Sequence, residues 1–191
     1  MATTQPIRDK GQISELVTYY LKRGQYRNHL LIIMGLYTAL RIGDILRLRW
    51  DDIFDFEKGH LRPSITLTEK KTQKSKNIAL HQSVVEALSL YAPTAAKPGG
   101  YLIENEKTEN AISRIQAFRI IRDAARAVKL PFRVSCHSLR KTFGYHAWKS
   151  DVNIAVIMEI YNHSSLAVTR RYLGVTQDDK DAVYLGIELM A

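Results

Sequence analysis

The chain is short of residues that staple or anchor a protein. Its one cysteine, Cys136, excludes an intramolecular disulfide and any CxxC metal pair, which makes a reducing compartment the natural home. No apolar run reaches the roughly 18 residues that a membrane-crossing helix needs. The longest, from Leu30 to Tyr37, reads as a core helix instead. The amino terminus, Met1-Ala2-Thr3-Thr4-Gln5-Pro6, lacks the basic-then-apolar order of a signal peptide, so the cytoplasm is the expected compartment. Acidic residues are also scarce. There are 19 Asp and Glu against 28 Lys and Arg, a formal charge of +9, which is the footprint of a protein that meets a polyanion. A basic surface with no nucleic-acid role fits the same numbers.

What is present suits a globular chain. At 191 residues and 46% hydrophobic composition it supports one sizeable core, or one domain with a small appendage. After a polar leader, Asp9 is placed to cap a helix with Ile13, Leu16, Val17 and Tyr20 on one face, ending near Gly24. A helix from about Tyr26 to Ala39 is apolar almost throughout and reads as buried. It delivers Arg41, then Gly43 for a tight turn and Asp44 to start a short helix from Ile45 to Leu48. An arginine in such apolar surroundings needs a partner: either an ion pair with Asp44 or Asp51, or a phosphate.

Leu61 to Thr68 and Asn77 to Leu80 flank the polar tip Glu69-Lys70-Lys71-Thr72-Gln73-Lys74-Ser75-Lys76 and read as a β-hairpin. Most of its four lysines fit a solvated turn, although a tip of this kind can carry one ammonium into a groove. Gln82 to Tyr91 is a short amphipathic helix, Ala92 to Gly100 an internal loop, and Tyr101-Leu102-Ile103 a brief strand. A longer helix spans about Asn110 to Val128, with Arg114, Arg119, Arg122 and Arg126 read as a solvated face.

The densest chemistry lies between residues 137 and 172. A helical pattern from Ser138 to about Lys149 puts His137 at a helix start and Arg140 one turn in, where side chains and free backbone N–H groups can face one anion. Asp151 or Asn153 caps the next helix, His163 sits in the turn after it, and Ser165 begins a helix carrying Thr169, Arg170, Arg171 and Tyr172. Arginine matches phosphate oxygens two at a time, histidine moves protons near neutral pH, and tyrosine serves as a covalent nucleophile. His29 and His146 read as satisfied structural residues. Cys136 beside His137 is a poor metal pair, because adjacent side chains on an extended backbone diverge.

Four separated boxes together resemble the tyrosine recombinases, the phage-integrase family. They are Thr38 to Leu48 around Arg41, the Lys70-Lys71-Thr72 hairpin, His137-Ser138-Leu139-Arg140-Lys141-Thr142, and Asn162-His163-Ser164-Ser165 followed by Thr169-Arg170-Arg171-Tyr172-Leu173. The resemblance covers about Asp9 to Tyr172. It implies an α+β fold of the DNA breaking-rejoining kind, mainly helical with a small antiparallel sheet, as a single catalytic domain over residues 1–191. Residues 1–8 would be a flexible leader.

The implied chemistry is attack by Tyr172 on a DNA phosphodiester to give a 3′-phosphotyrosyl intermediate, with no cofactor, metal or ATP. Arg41 and Arg140 would hold the nonbridging oxygens, His137 would act as base, and His163 would donate to the phosphate. A hairpin lysine, Lys71 rather than Lys74, would act as acid, and Asp44 would orient Arg41. Lys70, Lys74, Lys141, Arg170 and Arg171 would contact DNA. The implied partners are double-stranded DNA, sister protomers in a tetramer and accessory DNA-bending proteins, in the service of integration, excision or inversion of mobile DNA.

Two departures matter. Tyr161-Asn162 stands where the family generally has Leu-Gly, and asparagine also tolerates the left-handed conformation. Residues 1 to 25 are too few for the family's separate core-binding domain, so the chain is either the catalytic part of a longer protein or a short member acting as an invertase. The alternatives are a DNA-binding regulator of the same fold with little catalysis, and a type IB topoisomerase, against which the short length and integrase-style boxes argue. A last helix from Asp178 to Met190 would dock on a neighbouring protomer or pack on its own domain.

Overall fold

The structure, a computed structural model, describes residues 4–71 and 73–188. Thr72 of the hairpin motif and Met190, the expected end of the last helix, lie outside the described residues.

Helix α2 (Tyr26–Tyr37) is the axis of the molecule, and every residue from His29 to Leu36 is buried. Leu30, Leu31, Ile33 and Met34 join one apolar cluster and Ile32 and Leu36 a second. A helix apolar all round needs neighbours all round. Helices α1 (Lys10–Leu21), α5 (Arg114–Ala127) and α6 (Cys136–Lys149) close one side, and α4 (Gln82–Ala95) packs on the other. Asp9 caps α1 as expected, accepting from the Gln12 N–H at 2.7 Å. His29 and His146 are structural, meeting the carbonyls of Val17 and Ile7 at 2.9 and 3.0 Å.

The described residues form three antiparallel two-stranded ladders: β1 (Phe54–Asp55) with β2 (His60–Leu61), β3 (Ser64–Thr68) with β4 (Ser75–Ala79), and β5 (Glu104–Asn105) with β6 (Asn110–Ala111). The strand expected from Leu61 to Thr68 is interrupted at Pro63, which has no N–H for a ladder. Strand β4 begins at Ser75, earlier than expected, so Lys76 belongs to the strand and not to the tip. Tyr101 makes only an isolated bridge to Arg49, and the strand comes later as β5. Helix α4 runs on through Pro93, which in a last turn forfeits one bond, to the Ser89 carbonyl. Helix α5 starts at Arg114 and not near Asn110, because Ser113 and Gln116 form a reciprocal capping box there.

Helix α2 ends in a turn that differs from the expectation. The Thr38 hydroxyl donates back to the Met34 carbonyl at 2.6 Å, and Ala39, with φ of 53°, takes the left-handed turn assigned from sequence to Gly43. Helix α3 is Ile42–Ile45, with Arg41 as its N-cap residue and Asp44 inside it. Gly43 answers a different need. A Cβ there would press into the Arg114 guanidinium, with Cζ at 3.2 Å.

Helices α7 (Ile154–Tyr161) and α8 (Leu166–Leu173) pack on α6 through Ile157, Tyr161 and Leu173, which meet Ala39 in a third cluster. Asn153 and Ser165 cap them. Residues 4–8 are held and not a loose leader. Ile7 is fully buried, its N–H donates to Thr142 Oγ1 at 2.8 Å, Lys141 Nζ donates to the Thr4 carbonyl at 2.7 Å, and Arg8 reaches the Gly174 carbonyl at 3.0 Å. Helix α9 (Gln177–Gly186) buries none of its residues and leaves Val183, Tyr184 and Leu185 exposed. Packing on its own domain, one of the two expectations, is therefore not what α9 does; a Lys149–Asp179 ion pair at 2.7 Å ties it at its start.

Gly144 shows how tightly α6 meets α7 and α8. A Cβ there would lie 2.7 Å from Tyr161 Cε2 and 2.8 Å from Leu173 Cδ2. Alanine would normally favour a helix by about 1 kcal/mol over glycine. Overpacking here outweighs that gain, so Gly144→Ala is expected to destabilise the chain by roughly 1–2 kcal/mol, read as a lower urea midpoint.

Candidate active site

The end of α2, the start of α6 and the turn between α7 and α8 meet beside the β3–β4 hairpin. Arg140, on the second turn of α6, is 2% exposed. Its guanidinium donates to the Ala39 carbonyl and, at 3.2 Å, to the Tyr161 carbonyl. Both acceptors lie at helix C-terminal ends, where partial negative charge favours a cation. The left-handed Ala39 and the C-terminus of α7 thus aim two carbonyls at one arginine. Tyr161 Oη donates to the Arg140 carbonyl at 2.6 Å, locking the same region from below.

Arg41 reaches the Tyr161 carbonyl at 3.5 Å. Its carboxylate partner is Glu69, Oε2 at 2.9 Å from Nη1, and neither Asp44 nor Asp51. The expected orienting of Arg41 by Asp44 is corrected accordingly. Buried Asp44 accepts from the Lys70 backbone N–H at 3.0 Å and lies 3.6 Å from Arg47, so it fixes the hairpin base. Asp51 accepts from the Gly99 N–H.

One cleft is lined by Arg41, Arg140, His137, Lys70, Lys71 and Arg114. A second groove, alongside α8, is lined by His137, Lys141, Arg171 and Tyr172. His137 belongs to both and bridges them. The Tyr172 ring lies 5.0 Å from the His137 ring, 5.0 Å from the His163 ring and 4.9 Å from the Tyr161 ring. His163 Nδ1 is 3.1 Å from Thr169 Oγ1, which fixes the ring one helical turn before Tyr172. Asn162 adopts the left-handed conformation with φ of 51°, as asparagine allows, and ends α7.

The DNA-contact candidates are spread around this centre. Lys74, Arg170 and Arg171 are exposed, and Lys141 Nζ sits 5.4 Å from the Tyr172 ring. Lys74 is not among the residues of either opening. Three participants were not singled out in the sequence. Arg114, read as part of a solvated face, lines the cleft over Gly43. Lys76 and Glu69 form a buried pair at 3.0 Å, with Lys76 also donating to the Ile160 carbonyl. A lone acid in a lysine-rich tip was the available signal for Glu69; apart from Lys76, its partners Arg41, Arg140 and Asn162 lie far away in sequence.

The electrostatics follow from crowding cations around half-buried rings. Burial, then Arg140, Lys141 and Arg41, push the His137 imidazole down from 6.5 to about 4. Burial, then Arg140 and Arg41, bring His163 to about 4 as well. Burial lifts the Tyr172 phenol above its ordinary value, with Arg140 and Arg41 pulling the other way. Both imidazoles are therefore neutral at pH 7. No group of three or more acidic, histidine or cysteine side chains among the described residues could hold a metal ion, and no described helix is long and apolar enough to cross a membrane.

Comparison with known proteins gives this geometry its class. The phage integrase family matches residues 8–178, and the chain belongs to that family. A probable integrase/recombinase of Bacillus subtilis strain 168, YoeC, is 40% identical over 184 residues, 96% of this chain and 97% of that protein. A tyrosine recombinase of Pseudothermotoga lettingae is 28% identical over 175 residues, 91% of this chain but 58% of its relative. The fold is that of the XerA recombinase crystal structure, with a TM-score of 0.78 at 19% identity over 99% of this chain and 68% of the other. XerH recombinase bound to its palindromic difH substrate matches with a TM-score of 0.75 at 16% identity, covering 97% and 54%. The α+β tyrosine-recombinase fold expected from the boxes is the fold observed. The enzyme class, a tyrosine-type site-specific recombinase, is that of the family.

The two depressed histidines make a prediction about stability. Between their unfolded value of 6.5 and their folded value of about 4, the unfolded chain binds more protons than the folded one. Stability is then full above pH 6.5 and declines as pH falls toward 4. From pH 6.5 to 5, where most carboxylates stay ionised, the urea midpoint should fall for the wild type and fall less for a His137→Gln, His163→Gln double variant.

Proposed function

We propose that this chain cleaves and rejoins duplex DNA through Tyr172. The carrying observation is convergence: Arg41, Lys71, His137 and Arg140, from three separate segments, line one cleft, and His137 together with His163, from a fourth, flanks the shielded phenol beside it. In the proposed step Tyr172 Oη bonds to the scissile phosphorus and the P–O5′ bond breaks. The phenolic proton goes to His137 and the leaving oxygen takes a proton from Lys71. Arg41 and Arg140 face the nonbridging oxygens, where charge grows in the transition state. His163 donates to the phosphate in the tautomer with its proton on Nε2, in which the Thr169 hydroxyl turns from the Ser165 carbonyl, 3.3 Å away, to donate to Nδ1 at 3.1 Å.

The site holds the phenol high and the imidazole low, which is a mismatch for proton transfer. An entering phosphodiester corrects it. Its negative charge offsets the cations that depress His137. Lys71 is favoured as the acid because it lines the cleft with both arginines, whereas Lys74 lies outside it and Lys76 is engaged by Glu69. The exposed apolar α9 supports docking on a sister protomer, consistent with a tetramer on DNA. A regulator with the same fold and no chemistry is not favoured, since it would have no use for a complete proton-transfer set.

Nicked suicide duplexes tiling the repeats that flank the coding sequence test this. The wild type should form a covalent protein–DNA adduct and Tyr172→Phe none; failure of the wild type on every duplex would sink the reading. Lys71→Ala should slow cleavage by roughly 10²–10⁴-fold, with recovery on a 5′-bridging phosphorothioate, whose thiolate leaves without a proton, while Lys74→Ala stays near wild type. Duplex affinity should fall steeply with salt as phosphate contacts release counterions.

A further inference from the structure

Glu69 is the most enclosed acidic side chain described at the site, with no solvent exposure. Its Oε2 lies 2.9 Å from Arg41 Nη1 and accepts from Asn162 Nδ2 at 2.8 Å. Its Oε1 lies 3.0 Å from Lys76 Nζ and 4.0 Å from Arg140 Nη1. One carboxylate therefore touches four elements: the start of α3, the α6 arginine, strand β4 and the α7–α8 turn. Its own backbone closes the hairpin, with its N–H donating to Lys74 and its carbonyl accepting from Gln73. Glu69 thus stands at the root of the tip that carries Lys71.

We infer that Glu69 is a positioning residue that holds Arg41 and Arg140 as a preformed phosphate clamp, in register with the hairpin and with the turn carrying His163. The inference rests on the DNA-cleaving reading for its consequence, though not for its geometry. Two guanidiniums and an ammonium in one buried pocket repel one another. A single carboxylate among them offsets part of that repulsion and leaves surplus positive charge for a phosphodiester. Asn162 completes the hold. The residue that departs from the family's usual glycine keeps the left-handed turn and adds an amide that glycine lacks. Glu69 does not touch the reacting atoms; it acts through the arginines.

A carboxylate in this place has an opposite reading, in which it competes with the scissile phosphate for the same arginines. The two are separated by the full chain carrying Glu69→Gln, which keeps shape and removes charge, and by Asn162→Gly, which removes only the amide. On the nicked duplexes above at saturating DNA, Glu69→Gln should slow single-turnover cleavage about 100-fold, the size expected when reacting groups are misplaced by about an ångström, with duplex affinity held. Asn162→Gly should show the same pattern in weaker form. On a methylphosphonate linkage, which lacks one nonbridging charge, the Glu69→Gln deficit should shrink, as no general loss of folding would.

Solvent exchange of the Arg41 and Arg140 Nε–H groups, followed by nuclear magnetic resonance and assigned with Arg→Lys variants, should quicken about tenfold in Glu69→Gln as the hold is released. Cleavage equal to or faster than wild type in Glu69→Gln would overturn the proposal in favour of competition. Unchanged arginine exchange in both variants would overturn it outright. Should the wild type form no adduct on any duplex, the cleavage reading fails, while the exchange measurement still decides whether Glu69 holds the arginines.

Discussion

The site depends on keeping Arg140 charged at 2% exposure. Removing a guanidinium from water costs several kcal/mol unless its donors are met. The fold meets them with the carbonyls of Ala39 and Tyr161 and the carboxylate of Glu69. Much of the local architecture follows from those three acceptors. Ala39 sits in a left-handed conformation that an alanine adopts at a cost of about 1–2 kcal/mol, and in return its carbonyl meets the arginine. Helix α7 must end at Tyr161 for that carbonyl to be open, and Asn162 ends it there. Gly144 is bare because Tyr161 has to lie close against α6.

The same constraint joins the two halves of the chain. Arg41 and Arg140 are nearly 100 residues apart, yet both reach the Tyr161 carbonyl and Glu69. Two like charges a few ångströms apart repel by roughly 3–4 kcal/mol at the effective dielectric of a partly wet site. Holding them together without substrate requires the shared acceptors. A phosphodiester brings two nonbridging oxygens sharing one negative charge, which the surplus cations of the pocket can meet. The pocket therefore attracts a phosphodiester by the same imbalance of charge that crowds its cations together.

The sequence carried the parts of this that are local. Caps at Asp9, Asn153 and Ser165 and the buried run of α2 depend on neighbours within a turn or two, and each is found in place. The misread features depend on distant contacts. Gly43 looked like a turn residue because glycine usually is one, but its role is set by Arg114, seventy-one positions later. Arg114 is exposed, as its place on α5 suggested, but it also lines the cleft, which only the fold could show. Asp44 was the nearest acid to Arg41 in the chain, and Glu69, 28 positions on, is the nearest in space.

Lys71 and Lys76 show why spacing alone could not finish the assignment. Both are lysines of one hairpin, five positions apart, and both point toward the arginines in the sense that both interact with the pocket. Their environments differ. Lys76, within strand β4, is 13% exposed, paired with Glu69 and bonded to the Ile160 carbonyl, and burial lowers its affinity for a proton. Lys71, in the tip, is exposed and lines the open cleft. An acid that must deliver a proton to a departing oxygen has to reach it and return. A strand lysine with two of its three donors taken up by a carboxylate and a carbonyl is suited to holding a charge in place. The tip lysine, anchored behind by Asp44 on the Lys70 N–H and free ahead, is suited to moving one.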